Sequence, residues 1–314
     1  MKNPNQKPLD FIKVISVIIR VRNAAVDLRK CLMGLSEQIM PEGVKLEVVI
    51  VDNESIDGSA FLAQKFGAEI VTISRNEFTW GRAINRGIEK ATGQIIFLLS
   101  ADAYPADRHW ITEMITPFKD THVAAVYGRQ LPRSDAPLDE RVRLLKKFRP
   151  QSLRFEPGKC IADPTAQGML VSNACAAIRK DIWKKIRYDE AVKAGEEGIW
   201  TYNALKAGYS YVYQASAKVF HSHNDPVFRL AWRELEIAQK NRTLKERKMG
   251  FFQFCCLIAS FTKRRLKNCS LSDFPIKVRL KALLRMPFEM VTFCFVYLLS
   301  IFGLGQKFRA LMWG

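Results

Sequence analysis

Apolar residues arrive in short dense runs separated by segments of helical spacing. Residues 14–20, "VISVIIR", form a near-continuous run rich in β-branched side chains, which reads as a buried parallel strand. Residues 24–38 follow with apolar positions at helical intervals. "KLEVVIVD" (45–52) predicts a second strand, "SIDGSAFLAQKF" (55–66) a helix and "AEIVTI" (68–73) a third strand. "GRAINRGIEKA" (81–91) predicts a helix closed by Gly93, and "QIIFLLS" (94–100) a fourth strand. Strands alternating with helices of this length predict a doubly wound α/β sheet, in which ligands sit beyond the carboxyl ends of the strands. Arg20, Asn23, Asp52, Ser100 and Asp102 all fall at such ends. Asp102 ends an apolar strand between two alanines and is expected to face a ligand, although a loop aspartate capping a helix is the plainer reading. That plainer reading suits Asp107, just before "RHWITEMITPF".

The second half adds acids and imidazoles. "GEEGIWTYNALKAG" (195–208) predicts a helix with Glu196 and Glu197 in its first turn, where acids are favoured by the helix dipole alone. "YVYQASAKVFHSH" (211–223) is strand-like and ends on His221 and His223, which share one face at a spacing of two. They could ligate a metal or be ordinary surface imidazoles. No GxxxxGK[ST] loop and no GxGxxG follows the first strand, so a bound nucleotide would need another way to neutralise its phosphates, most simply a divalent metal held by carboxylate.

Length and composition refine this picture. The 314 residues, 48% hydrophobic and 25% charged, suit one large folded domain with an appendage. Seven cysteines without a CxxC argue for reduced thiols in a cytosolic setting, against a zinc site or a disulfide framework. The apolar run at 14–19 is too short for a signal peptide and meets Arg20, so the catalytic part is expected in the cytoplasm. The net charge of +18 is uneven: 17 Lys and Arg face 5 Asp and Glu after residue 225, against 32 and 26 before it. That asymmetry points to an anionic partner, nucleic acid or a membrane leaflet.

"SVIIRVRN", "VDNESIDGS", "GRAINRGIEKATGQIIFLLSADA", "GEEGIW" and "VFHSHN", in that order, resemble a family 2 glycosyltransferase of the GT-A fold. "FTWGRAINRGIEKATG", "YGRQLPRSDA" and "SNACAAIRKDIW" are similar to bacterial rhamnosyltransferases that build surface polysaccharides such as O-antigen. The resemblance implies an N-terminal tail (1–12), a Rossmann-like nucleotide-diphospho-sugar transferase domain (13–225) and a C-terminal helical, basic and apolar region (226–314). It implies that Arg20, Asn23 and Asp52 hold the nucleobase and ribose, and that Arg82 and Asn85 contact the donor. In the family's Asp-x-Asp metal motif Ser100 stands at the first acid and Asp102 at the last. Asp102 with His221, and His223 beside it, is expected to hold Mn²⁺ or Mg²⁺. The family's catalytic pair becomes Glu196-Glu197, with Glu197 as the base that must come within about 2.6–3.2 Å of the acceptor proton. Arg129 either adds a cation near the pocket or is an ordinary surface arginine.

The implied reaction is inverting transfer of a sugar, rhamnose from dTDP-rhamnose, to a glycan or lipid-linked glycan acceptor. A different UDP- or GDP-sugar donor is the alternative. A basic nucleic-acid-binding protein ranks lower, because no aromatic-and-basic RNA motif or helix-turn-helix accompanies the charge, and no nucleic-acid partner is expected.

At the C-terminus, "LAWRELEIAQKNRTLKERK" (230–248) predicts a basic helix, and residues 250–267 join an apolar stretch to a basic cluster. Residues 291–304 lack charge over 14 positions, where a membrane span usually needs about 20. A helix lying in the cytoplasmic leaflet of the inner membrane, peripheral or monotopic, is the expectation; a buried helix completing the core is the alternative.

Overall fold

The computed structural model describes residues 9–158, 170–192, 194–223, 231, 251–271 and 273–301. The basic helix expected at 230–248 lies outside the described residues, apart from Ala231.

The described residues hold one nine-stranded sheet. Strands β1 (Val14–Val21), β2 (Lys45–Asp52), β3 (Glu69–Thr72) and β4 (Ile95–Ser100) run parallel in the order β3-β2-β1-β4. These are the four strands read from the apolar runs. Between them lie α1 (Ala25–Ser36), α2 (Ser59–Lys65) and α3 (Trp80–Lys90). A two-residue strand β5 (Tyr104–Pro105) and helix α4 (Trp110–Ile115) follow. The sheet continues through β6 (Val123–Leu131), then α5 (Leu138–Lys147), β7 (Leu153–Phe155), β8 (Cys175–Arg179), α6 (Lys180–Trp183), α7 (Glu196–Lys206) and β9 (Ser210–Phe220).

Beyond β4 the sheet is mixed. β8 lies between β4 and β6 and is antiparallel to both, while β6 and β9 are parallel. β6 and β8 carry no sharp apolar-polar alternation because both their faces are covered: Val123 to Tyr127 and Cys175 to Ile178 are all buried.

Side chains alternate across the sheet into two cores. Ile15, Val17 and Ile19 of β1 pack with Leu28, Leu32 and Leu35 of α1 and Trp110 of α4. Ile18 faces the opposite side with Ile84 and Ile88 of α3, Trp183 of α6 and Trp200 of α7. Helix α3 lies very close to the sheet: a Cβ on Gly87 would stand 2.4 Å from Ile18 Cγ2 and 2.9 Å from Val51 Cγ2. A Cβ on Gly81 would stand 2.3 Å from the Asp189 carbonyl oxygen. The glycines of "GRAINRG" therefore set the depth at which α3 seats.

The chain divides into two compact units, Met1–Arg133 with Leu144–Ser222, and Ser134–Arg143 with His223–Gly314. The second contains α8 (Phe251–Cys269) and α9 (Ile276–Ile301). Its core packs Phe261 against Phe293, ring centroids 4.8 Å apart, with Val296 and Tyr297 beside them. The described part of the uncharged run read from residue 291 is the last part of the longer α9, which runs on through Pro287 and Glu289. Glu289 does not interrupt it: the carboxylate is turned inward, bonded to Arg265 and 3.1 Å from Arg285 one turn earlier.

Candidate active site

Three parallel strand tips meet in register. Arg20 of β1 pairs with Ser100 of β4, and Val21 pairs with Asp52 of β2. Asp102 stands two residues past this register, in a turn closed by a bond from Ala103 N–H to Ser100 C=O (2.9 Å). Ala101 and Ala103 are buried on either side and hold the carboxylate at the mouth of the sheet, 30% exposed.

His221 follows β9 and is pinned by its backbone N–H to Leu131 C=O (2.9 Å). Its Nε2 lies 3.5 Å from Asp102 Oδ1, and its Nδ1 lies 2.9 Å from Gln130 Oε1. The Gln130 contact holds the imidazole with its Nε2 toward the carboxylate. Asp102, His221 and His223 each offer one ligand atom, all within 4.8 Å of one another. One carboxylate oxygen and imidazole nitrogens make a donor set suited to Mn²⁺, and less so to oxygen-preferring Mg²⁺.

Asp52 is 5% exposed; Oδ2 accepts from Ser55 N–H (3.1 Å), while the buried Oδ1 has no partner. An orphaned buried carboxylate oxygen at a strand tip is an open acceptor for a donor group on a ligand. Asn23, at φ 49°, is fixed by its N–H to Ser55 Oγ and by its Oδ1 accepting from Ile56 N–H.

The Arg20 guanidinium reaches across the sheet edge to α7. Nη1 is 3.5 Å from Glu196 Oε1, Nη2 donates to Asn173 C=O (3.5 Å), and the Trp80 ring covers the group at 5.0 Å. Burial pulls the Arg20 pKa down, against the raising influence of Glu196 and Glu197. Asn173 donates to Glu196 Oε1 (3.2 Å) and accepts from the Tyr188 hydroxyl (3.4 Å). Arg20 and Asn173 thus clasp Glu196 in place.

Glu197, next along α7, has no side-chain partner among the described residues. Burial, and then the negative charge of Glu196, push its carboxyl above the usual carboxylate range. A raised pKa brings a carboxylate closer to the working range of a general base. Trp200, three residues on, is buried and donates to Ile186 C=O (2.6 Å); Thr201 Oγ1 donates to Glu197 C=O and accepts from the Tyr127 hydroxyl (2.6 Å). These contacts fix the first turn of α7 and so the direction of Glu197.

The other residues singled out from the sequence have defined places. Arg82 Nε donates to Glu190 (2.8 Å) and Nη1 to Glu77 C=O (2.9 Å). Asn85 is buried, donating to Tyr188 C=O and Glu190 and accepting from Trp183 Nε1 and Tyr188 N–H. Arg129 Nε turns to Phe148 C=O (3.1 Å), while its neighbour Gln130 reaches His221. Asp107 accepts from His109 N–H (3.0 Å) in the turn before α4; the N-cap position is His109 and no side chain caps the helix, so the capping role read for Asp107 is not the one it has. Gln130, Asn173 and Trp80 were not singled out. Gln130 had a signal, since alternate residues of a strand face opposite ways and Arg129 was the wrong one of the pair.

Comparisons with known proteins bear on the family and the fold. Residues 16–187, more than half of the chain, match the family described as Glycosyl transferase family 2. The O-antigen chain rhamnosyltransferase WbaN of Salmonella anatum is 29% identical over 181 residues, 57% of each protein. The O-antigen chain rhamnosyltransferase RfbN of Salmonella typhimurium is 29% identical over 216 residues, 67% of each. The chain thus spans a little over half the length of the first and two thirds of the second. The mannosyltransferase PcManGT from Pyrobaculum calidifontis, solved with GDP-Man and Mn²⁺, superposes with a TM-score of 0.52 at 17% identity, over 94% of this chain and 87% of that one. S. aureus TarS 1-349 with UDP gives 0.50 at 15% identity, over 81% and 72%. At that identity the two structures speak for the fold alone, which is GT-A. With the first three motifs in their expected order on that sheet and inside the matched residues, the chain belongs to glycosyltransferase family 2.

Proposed function

We propose that the chain is an inverting sugar transferase that uses a nucleotide sugar, dTDP-rhamnose, and delivers rhamnose to a hydroxyl of a lipid-linked or polysaccharide acceptor in cell-surface glycan synthesis. The reading places it at the cytoplasmic face of the inner membrane. The observation that carries it is the edge where Arg20 joins the strand tips to the Glu196-Glu197 pair. One side of that edge has an orphaned acceptor for a nucleoside and the other an unpartnered carboxylate for a base.

In this reading Asp52, Arg20 and Asn23 seat the nucleoside, with Ser100 and Arg82 at the rim. Asp102, His221 and His223 would hold a divalent ion, which when bound offsets the charge on the departing diphosphate. Glu197 takes the proton from the acceptor hydroxyl as that oxygen attacks the anomeric carbon from the face opposite the nucleotide. Glu196, held by Arg20 and Asn173, keeps a negative charge beside it. The rhamnosyltransferase relatives support the donor choice.

A screen of dTDP-, UDP- and GDP-sugars for release of the free nucleoside diphosphate, with and without Mn²⁺, tests the reading. Turnover of dTDP-rhamnose dependent on the metal is expected. Preference for a UDP- or GDP-sugar would replace the donor, and release from none of them would end the assignment.

A further inference from the structure

Helix α9 is apolar on two opposite faces, one buried and one exposed. Ala282, Glu289, Phe293, Val296 and Tyr297 are buried, the last three in a cluster with Phe261 of α8. At 3.6 residues per turn, Ile276, Leu280, Leu284, Val291, Phe295 and Leu298 fall within about 100° of one another on the other face, along about 33 Å of helix. Ile276, Leu284 and Val291 are 71%, 73% and 69% exposed, and the other three are exposed too. Isolated exposed apolar side chains are ordinary; a stripe of six along one helix is not.

The borders of the stripe say what it meets. On one side Met290 and Cys294 lead into an apolar groove of about 640 Å³ shared with Cys255, Ile258 and Leu266 of α8. On the other side stand Lys277 and Lys281, both exposed and outside any ion pair among the described residues, with Arg285 following. The acid within α9, Glu289, is neutralised inside and offers nothing to the surface. A second copy of this chain would bring the same excess of cations to the contact and be repelled. No described helix is long and apolar enough to cross a membrane. An apolar arc with lysines along its border is the pattern of a helix lying in the plane of a membrane interface.

We propose that the outward face of α9, with the adjoining groove on α8, sinks into the surface of an anionic lipid leaflet, parallel to its plane. The inference deepens the membrane part of the function proposed above and rests on it for which membrane is meant, not for the binding itself.

Co-sedimentation of the full chain with vesicles, read without donor or acceptor, tests it. Binding to phosphatidylcholine vesicles containing phosphatidylglycerol is expected, with much weaker binding to phosphatidylcholine alone. The double variant Leu284→Glu/Val291→Glu should lower binding at least about tenfold, since it places two charges in the buried arc. Lys277→Glu/Lys281→Glu should remove most of the preference for the anionic vesicles. All four positions are exposed, and an unchanged circular dichroism spectrum checks the fold. Equal binding of both variants and the parent chain, or no binding to anionic vesicles, overturns the proposal. So does a parent dimer in sedimentation velocity that the stripe variant dissociates, because a second copy then covers the face. Nucleoside diphosphate release, measured without vesicles, separates failure here from failure of the transferase reading.

Discussion

Glu196, in the first turn of α7, and Glu289, in the middle of α9, are both buried against arginine, in different units of the molecule. Around Glu289 the charges balance. Arg265 bonds both Glu289 and Asp139, Asn268 donates to Asp139 (2.6 Å), and Arg285 closes on Glu289: two cations for two acids. Around Arg20 they do not. Arg20 alone faces both Glu196 and Glu197, its Nη1 makes no hydrogen bond, and Lys147 acts on Glu197 more weakly than Arg20 does. A balanced buried cluster fixes the packing of two helices. An unbalanced one keeps a carboxylate in a state the rest of the fold must support, which is what a reacting group needs.

The sharpest way to break this contrast is to neutralise one acid from each cluster. Glu197→Gln should lower kcat by about 10²- to 10⁴-fold, the usual worth of a general base, with an unchanged melting curve. Glu289→Gln should do the reverse. Removing one partner of a buried pair costs about 3–5 kcal/mol, read as easier denaturant unfolding or proteolysis, while folded molecules keep their turnover. An inactive but fully stable Glu289→Gln would dissolve the distinction. Asp102→Ala comes next: transfer should fall by about 10²- to 10³-fold and lose its response to Mn²⁺, which initial rates across a metal titration would show.

Much of the fold could be read from the chain because the first four strands are dense in Val, Ile and Leu and bounded by turn residues. The strand tips followed from that alone, and with them Arg20, Asp52 and Asp102. β6 and β8 were passed over because "VAAVYGRQL" and "CAAIR" are rich in alanine, which favours neither period. The clasp on Glu196 was hidden for another reason. Asn173 and Tyr188 are separated from Arg20 by more than 150 residues and meet it only because β8 enters the sheet antiparallel beside β4. Asn85 shows the converse limit: the motif that named it is real, yet its polar atoms are taken up by Tyr188, Glu190 and Trp183.

A finer test bears on Glu196 as a charge rather than a brace. The groups acting on the Glu197 carboxylate are Glu196, Arg20 and Lys147, with the Tyr127 and Tyr188 phenols also close to the pair. Glu196→Gln keeps most of the clasp and removes the repelling charge, so the Glu197 pKa falls. A base must be deprotonated to work, so the acid limb of the kcat profile should move to lower pH, with a lower plateau because the base is weaker. A brace alone would lower the plateau and leave the limb in place.

The smallest effect should come from the half-exposed pair of Arg82 and Glu190, where side-chain exposures of 34% and 38% leave the ions well screened. Glu190→Gln should change stability by less than about 1 kcal/mol. Its Oε1 accepts from Asn85, and an amide oxygen can keep that bond. Arg82 retains its own bond to Glu77 C=O and gains freedom at Nε. If Arg82 contacts the donor diphosphate, the freed guanidinium leaves the donor KM unchanged or slightly lower while kcat stays put. A clear rise in KM would mean that Glu190 aims Arg82 at the donor, and the surface pair would then belong with the unbalanced cluster at the strand tips.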